Sequence, residues 1–201
     1  MAGYETIAAA SETVVSVLRD RAKSDEAVPI SPEEIVLAPP DDVDADSAVR
    51  LSVFPYKITR NDQQGSQNRI RVGSDTFRKP PLFVTVSYLV TAYPGSGSKT
   101  DEQLHDQQVA LGLAMQVIHD TGIIDADNLK GALQGTDSFH LSLAEQANDR
   151  IEQIWGSFVD APFSPSVVYV TSPIPIESTR KQEVTRVAER DIEMDQGTDR
   201  E

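Results

Sequence analysis

The pattern of apolar and polar positions predicts a helix near the start of the chain. Between residues 4 and 22 the apolar residues recur at helical spacing and the charged residues lie between them. This pattern is typical of an amphipathic helix that packs one face on a core. The positions on that face are Tyr4, Ile7, Ser11, Val14, Val15 and Leu18. Residues 24–48 then place prolines among Asp and Glu, so we expect a long acidic loop with one short strand at residues 34–38.

Alternating positions predict strands in the middle of the chain. Residues 49–61 alternate until Pro55 breaks the phase, which indicates a strand at a sheet edge or a strand with a bulge. Residues 62–68 have the composition of a turn, so residues 69–73 are candidates for the returning arm of a hairpin. Residues 80–94 are apolar on both faces, which favours a central strand.

The second half of the chain alternates helices with strands. A helix is predicted over residues 100–122, with Gly122 as its C-cap and with Met115 and Ile118 on its core face. Trp155 is expected in the core rather than at an interface. The other predicted elements are a turn with one helical turn (123–133), a strand (138–144), a third helix (145–158) and a last strand that runs into a proline-punctuated arm (164–178).

Together these elements predict an α+β fold. We expect a mixed, mostly antiparallel sheet with two to three helices packed on one face. A single domain is predicted over residues 1–178, with the acidic loop 24–48 as an insertion. Residues 179–201 lack hydrophobic periodicity and are expected to form an extended or disordered acidic tail.

The charge balance of the chain disfavours some classes of binding function. The 201 residues carry 18 basic and 32 acidic side chains, a formal net charge of -14. Such an excess of acid disfavours general binding to nucleic acid or to an anionic membrane, because both attract Lys and Arg. The basic residues are mostly Arg, and an acidic, Lys-poor chain is typical of proteins that stay soluble in concentrated salt. An ordinary acidic bacterial protein is the alternative.

Other general features exclude several kinds of chemistry and location. The chain has no cysteine, which excludes disulfides, thiolate metal sites and Cys nucleophiles. The first residues lack the basic region and apolar core of a signal peptide, and no run of ~18 apolar residues predicts a membrane span. We therefore expect the protein to be made and folded in the cytoplasm.

The loop AYPGSGSKTDEQL (92–104) lies between a predicted strand and a predicted helix, where a phosphate-binding loop would lie. A Walker loop needs Gly directly before its Lys and another Gly five residues before that Lys, but Ser98 and Tyr93 stand at these places here. The dinucleotide-binding pattern G-x-G-x-x-G fails at its third glycine, where Thr100 stands. We interpret the loop as a hinge or contact surface rather than a nucleotide site.

No catalytic or metal-binding constellation stands out in the sequence. His105 and His119 lie on one predicted helix about 21 Å apart, too far to share a metal ion within one chain. The third histidine is His140, and no G-x-S-x-G motif is present to predict a serine hydrolase. The acidic stretch 39–46 lacks the central Gly and closing Glu of a calcium loop. We therefore predict no catalytic residues, no cofactor and no metal.

Three stretches, taken together, resemble a known family. The order of AMQVIHD, then Trp-x-x-Phe, Pro-Phe and Ser-x-x-Tyr is the specific part of the likeness. Over roughly residues 4–178 the chain is similar to the tail terminator (cap) proteins of contractile injection systems, the family with a DUF4255/Pvc16-like N-terminal domain. The stretches are PPLFVTVSYLVTAYP (80–94), QVALGLAMQVIHDTGII (108–124) and IEQIWGSFVDAPFSPSVVYVTSPIPIES (151–178).

The resemblance implies a phage tail-terminator-like fold and a structural role. Such proteins form a hexameric ring at the distal end of the finished tube and sheath, where the ring ends polymerisation and joins sheath to tube. The implied partners are further copies of the chain, the tube protein and the sheath protein, with no nucleic acid and no membrane. The implied particle is assembled in the cytoplasm for release outside the cell, in a haloarchaeal or similarly salt-adapted host. A neck connector or baseplate component of the same kind of particle is the alternative.

Several residues are candidates for contacts with partners in such a particle. Edge strands accept strands from neighbours, and stiff extended arms reach other subunits. For the arginines of residues 69–73 a solvated edge is the alternative, and for the proline arm a disordered tail is the alternative. The candidates are Arg69, Arg71, Ser96, Lys99, Pro173, Pro175, Arg180 and Lys181.

Overall fold

The computed structural model describes most of the chain. The described residues are 3–24, 28–44, 46–62, 70–71, 76–95, 100–134 and 138–183. The helices are α1 (Thr6–Ser24), α2 (Thr100–Thr121), α3 (Glu145–Asn148) and α4 (Ile151–Trp155). The strands are β1 (Ile35–Leu37), β2 (Leu51–Arg60), β3 (Ile70–Arg71), β4 (Thr76–Arg78), β5 (Leu82–Ala92), β6 (Ile123–Ile124), β7 (Phe139–Leu143), β8 (Ser166–Thr171), β9 (Ile174–Ile176) and β10 (Lys181–Glu183).

The main sheet is mixed and mostly antiparallel, as the sequence predicts. Its strands lie in the order β1-β2-β5-β8-β7-β6, with β9 also paired to β5. Only β1 and β2 are parallel among the described pairs. The predicted bulge in β2 is confirmed, because the register with β5 shifts between Pro55 and Lys57. The fold class is therefore α+β.

The two faces of β5 confirm its prediction as a central strand. Val86, Tyr88 and Val90 on one face join a large core cluster with α1 and α2. Leu89 on the other face joins a smaller cluster with Trp155 of α4. Since side chains alternate along a strand, these clusters lie on opposite sides of the sheet. Two helices thus share one face, while the third predicted helical region packs on the other, which we call the outer face.

The helix layer differs from the prediction in detail. Ile118 is buried as predicted, but Met115 is 38% exposed, and the fully buried positions of α2 include Ala110 and Ala114. Small alanine side chains let α2 lie close to the sheet, which turns the larger residues of the predicted stripe toward its flank. Tyr4 was predicted on the core face of the first helix, but it is 90% exposed because α1 begins only at Thr6.

Buried polar groups tie α1 to the rest of the domain. The Ser11 and Tyr88 hydroxyls lie 3.0 Å apart and share a hydrogen bond. The Thr13 hydroxyl donates to the Ala9 carbonyl and accepts from the Lys130 N–H. A buried hydroxyl without a hydrogen-bond partner destabilises the fold, so these bonds favour one position of α1 on the sheet.

The loop that follows β5 is held at its start by Arg50. Gly95 has a φ of +74°, a backbone conformation that favours glycine, and a Cβ there would lie 2.5 Å from the Arg50 Cδ atom. One Nη atom of Arg50 donates to the Asp106 carbonyl of α2. The first glycine of the loop therefore serves close packing, and residues 96–99 lie outside the described residues.

A second, three-stranded sheet follows the order β10-β4-β3. The predicted return of residues 69–73 along β2 is wrong, because β3 pairs with β4 instead. Residues 181–183 were assigned to the tail, but as β10 they pair with β4, so the folded part extends past the predicted boundary at residue 178. The Arg78 and Glu177 side chains form an ion pair of 3.0 Å beside this sheet.

The last predicted strand is divided into β8 and β9, which lie one after the other along the same edge of β5. β8 pairs with residues 87–91 of β5, and β9 pairs with residues 82–84. At the break between them, the Thr171 hydroxyl accepts a hydrogen bond from the Val86 N–H at 3.0 Å. The side chain thus replaces the missing backbone partner, and the chain passes Pro173 without leaving a buried N–H unpaired.

Candidate docking surfaces

A groove crosses the outer face of the main sheet. It has a volume of about 690 Å³ and lies between the sheet and the α3–α4 region. We call it the outer-face groove. Such a volume falls within the roughly 300–1,000 Å³ of ligand-holding clefts. Its lining includes Tyr56, Lys57, Ser87, Leu143, Arg150 and Ile154.

Two basic side chains face this groove, one from each of its opposite walls. Lys57 comes from β2, directly after the bulge, and Arg150 comes from the turn between α3 and α4. Glu145 is the acidic residue of the lining. Tyr56 lies beside Lys57, and burial raises the pKa of its hydroxyl above the ordinary value, with the Ser87 hydrogen bond acting in the opposite direction. The groove is therefore polar along its walls and cationic on balance.

Asn148 positions the α3–α4 wall. Its Oδ1 atom accepts from the Val168 N–H at 2.8 Å, and its Nδ2 atom donates to the Val168 and Ala144 carbonyls at 3.2 and 3.0 Å. The side chain thereby pairs with β8 where β7 has ended. The predicted single helix over residues 145–158 is correspondingly wrong, because it breaks into α3 and α4 around Asp149 and Arg150.

Replacing Asn148 with Ala is expected to destabilise the fold by about 1–3 kcal/mol, because the buried Val168 N–H would lose its partner. Urea unfolding followed by circular dichroism measures this change. Gln146→Ala, on the exposed side of α3, is the matched control and should stay within about 0.5 kcal/mol of the wild type. Equal stabilities of the two variants would contradict this role of Asn148.

The outer edge of β2 is open beside the groove. β1 covers only Leu51–Val53, and no described strand pairs with the outer edge of residues 54–60. The Ala92 N–H donates to the Pro165 carbonyl on the β8 side, so the alternation of β5 turns the backbone of Pro55 toward the open edge. Ile58 follows with the same orientation and is 49% exposed. Pro55 thus cannot donate a hydrogen bond to a neighbouring strand at this edge, whereas the residues of β2 that follow it are accessible.

An apolar loop follows α4. Val159 is 89% exposed and Phe163 is 64% exposed, and the Phe163 ring lies 5.4 Å from the Trp155 ring. Trp155 itself is 6% exposed, which confirms its prediction as a core residue. The indole N–H of Trp155 is buried and has no hydrogen-bond partner among the described residues. The loop therefore lies beside a buried tryptophan while its own apolar side chains, Val159 and Phe163, stay exposed.

None of the described candidate contact residues lines the outer-face groove. Arg71 is exposed on β3, and Arg180 is exposed just before β10. Lys181 belongs to the backbone of β10, opposite Arg78. Arg69, Ser96 and Lys99 lie outside the described residues.

The proline-punctuated arm is part of the main sheet. Pro175 pairs with Phe83 in β9, and Ile174 beside it is buried in the core. Pro173 occupies the break before β9, so neither proline belongs to a free arm. A contact of Pro173 or Pro175 with another subunit remains a proposal.

Sequence reasoning missed the residues of the outer-face groove. The bulge after Pro55 changes the phase of β2, and the sequence does not specify which face Lys57 then takes. The apolar side chains of the predicted third helix, Ile151 and Ile154, pack beside Trp155. The hydrophobic pattern did not specify the face of the sheet on which they pack.

Metal-binding clusters and membrane-spanning helices are both absent from the described part of the chain. There, no three His, Asp or Glu side chains come together in a way that could hold a metal ion. No helix within the described ranges is long and apolar enough to cross a membrane.

Comparison with known proteins identifies the family. The model of the Pvc16 N-terminal domain matches residues 9–190. The chain belongs to the Pvc16 N-terminal domain family. This match confirms the resemblance found in the sequence, and none of the curated proteins matches the chain by sequence.

Solved structures share the fold of this Pvc16 N-terminal domain. One is the sheath/tube terminator of the extracellular contractile injection system PVC in its extended state, with a TM-score of 0.61 and 16% identity, covering 96% of this chain and 64% of that chain. Another is the tube-terminating cap of the anti-feeding prophage, with a TM-score of 0.56 and 22% identity, covering 91% of this chain and 59% of that chain. This chain thus spans less than two thirds of the length of either protein.

Proposed function

We propose that this chain is a tail terminator, or cap, of a contractile injection system. Membership of the Pvc16 N-terminal domain family over residues 9–190 carries the proposal. The fold likeness to a sheath/tube terminator and to a tube-terminating cap supports it. The chain would act without turnover, by occupying the end of a polymer.

In this role six copies form a ring at the distal end of the tube and sheath. The ring ends polymerisation and joins sheath to tube, in a particle that is assembled in the cytoplasm and released from the cell. The open edge of β2 and the apolar loop after α4 are surfaces that such contacts can use. The acidic, Lys-poor composition is typical of a chain that stays soluble in concentrated salt, which fits a halophilic archaeal host.

The native mass of the purified protein tests the ring. Light scattering at ~0.15 M and at multimolar salt compares weak and strong screening of the charges on the protein. We expect a mass six times that of the 22.0 kDa chain in at least one of these conditions. A monomer in both would contradict a ring that forms on its own and would leave a cap that closes only on the tail end. Sedimentation with purified tubes and sheaths then decides whether the chain binds there.

A further inference from the structure

Two cations of the outer-face groove have no acidic partner among the described residues. Neither Lys57 nor Arg150 forms an ion pair with a described carboxylate. Both side chains are exposed, and they stand on opposite walls of one groove. In a chain with a net charge of -14, such a surface attracts negative charge while most of the remaining surface repels it.

A short acidic segment of the same chain has the opposite character. We define it as Pro40–Asp44, which begins after β1 with a single turn of 3₁₀-helix. Its carboxylates, Asp41, Asp42 and Asp44, are exposed, and none of them pairs with a described cation. The flanking residue Pro39 and the segment's own Val43 have extended backbones. The three carboxylates therefore lie exposed on a turn that the buried Pro40 holds to its own domain.

The acidic segment does not line the groove of its own chain. It lies beyond β1 at one side of the sheet, whereas the groove is bounded by β2, β5, β7, β8 and the α3–α4 region. A closed ring of identical subunits needs a heterologous contact, in which two different surfaces of the chain meet. An anionic segment and a cationic groove on separate parts of one subunit meet this requirement.

We propose that the acidic segment Pro40–Asp44 of one copy docks into the outer-face groove of the next copy, with its carboxylates against Lys57 and Arg150. This contact rests on the proposed ring and identifies the surfaces that form it. Its charges fix the order of the subunits around the ring, because groove against groove and segment against segment both repel. Salt screens exposed ion pairs, so this contact is weaker in multimolar salt than at ~0.15 M.

Cysteine crosslinking tests the contact directly, because the natural chain contains no cysteine. One preparation carries Asp42→Cys and another carries Gln153→Cys on the groove wall, and the two are mixed under mild oxidation. We expect an intermolecular disulfide between them. Asp127→Cys mixed with Gln153→Cys is the matched control, since Asp127 is also an exposed aspartate in a 3₁₀ turn, and it should not crosslink. No crosslink, or equal crosslinking of both mixtures, overturns the proposal.

A charge exchange separates attraction from mere proximity. The groove variant Lys57→Glu/Arg150→Glu should associate with itself about tenfold or more weakly than the wild type. Mixing it with the segment variant Asp41→Lys/Asp42→Lys/Asp44→Lys should restore association, because the reversed charges again attract. A groove variant that assembles like the wild type overturns the proposal, as does a mixture that stays dissociated.

The outcomes distinguish this contact from the ring itself. A wild-type mass of six chains without the 42–153 crosslink refutes the contact and leaves the ring. A 42–153 crosslink in a protein that never exceeds a dimer supports the contact and refutes the ring. A groove variant that assembles normally but no longer binds purified tube or sheath shows that another protein occupies the groove, which also overturns the proposal.

Discussion

Replacing Trp155 with Ala is expected to lower the free energy of unfolding by about 3–5 kcal/mol. Trp155 packs against Leu89 and Val168, which are fully buried, and its ring lies 5.5 Å from that of Phe158. Removing it leaves a cavity between α4 and the outer face of the sheet. Urea unfolding followed by circular dichroism measures the loss. A cost below about 1 kcal/mol would contradict the packing of α4 on the sheet.

Two control variants separate packing from chemistry at this position. Trp155→Phe keeps one aromatic ring and removes an indole N–H that has no described partner, so it should cost clearly less than Trp155→Ala. Phe163→Ala removes a ring that touches the same tryptophan from outside, at 64% exposure. It should therefore cost far less than Trp155→Ala. A larger cost for Phe163→Ala would place the main packing in the loop instead of in α4.

Raising the pH above about 10 is expected to destabilise the fold through its buried tyrosines. Burial raises the pKa of Tyr88 to about 12, although the hydrogen bond with Ser11 acts in the opposite direction. Below about pH 10, the pKa of a tyrosine in the unfolded chain, Tyr88 is neutral in both states and its contribution to the stability does not change with pH. Above it, the unfolded state loses the proton first, so the free energy of unfolding falls until the folded state also ionises.

The size of this effect follows from the two pKa values. A difference of about two units corresponds to roughly 2.7 kcal/mol, lost between about pH 10 and about pH 12. Burial also raises the pKa of Tyr56, Tyr93 and Tyr169, which adds to the loss in the same direction. Urea unfolding at a series of pH values measures the slope, and tyrosinate absorbance reports which state has ionised.

Tyr88→Phe isolates the contribution of the buried hydroxyl. This variant should show a clearly shallower loss of stability above about pH 10 than the wild type. Tyr4→Phe, at a position that is 90% exposed, is the matched control and should keep the wild-type slope. An unchanged slope in Tyr88→Phe would contradict the buried, neutral state of Tyr88 in the folded protein.

The elements that sequence predicted well are those with a strong local signal. The two apolar faces of residues 80–94 predicted a central strand, and β5 does contribute side chains to both core clusters. Gly122 ends α2 with a φ of +58°, as its C-cap position predicts. The match to the Pvc16 N-terminal domain confirms the family that the order of the motifs had indicated.

The features that sequence missed depend on contacts between distant segments. Met115 was placed in the core by helical spacing, but the close approach of α2 to the sheet selects Ala110 and Ala114 instead. The pairing of β10 with β4 joins residues about a hundred positions apart, and no local pattern encodes it. The outer-face groove depends on the same kind of contact, because the wall that carries Arg150 is bound to β8 through Asn148 and Val168, which are twenty positions apart.

Polymerisation of the tube protein from the same particle tests the terminator role most directly. Tubes are grown from a fixed concentration of purified tube protein, with and without this chain, and their lengths are measured by electron microscopy with the chain labelled. We expect shorter tubes whose growth stops early, with label at one end only. Tubes of unchanged length, or label spread along their sides, would contradict the account.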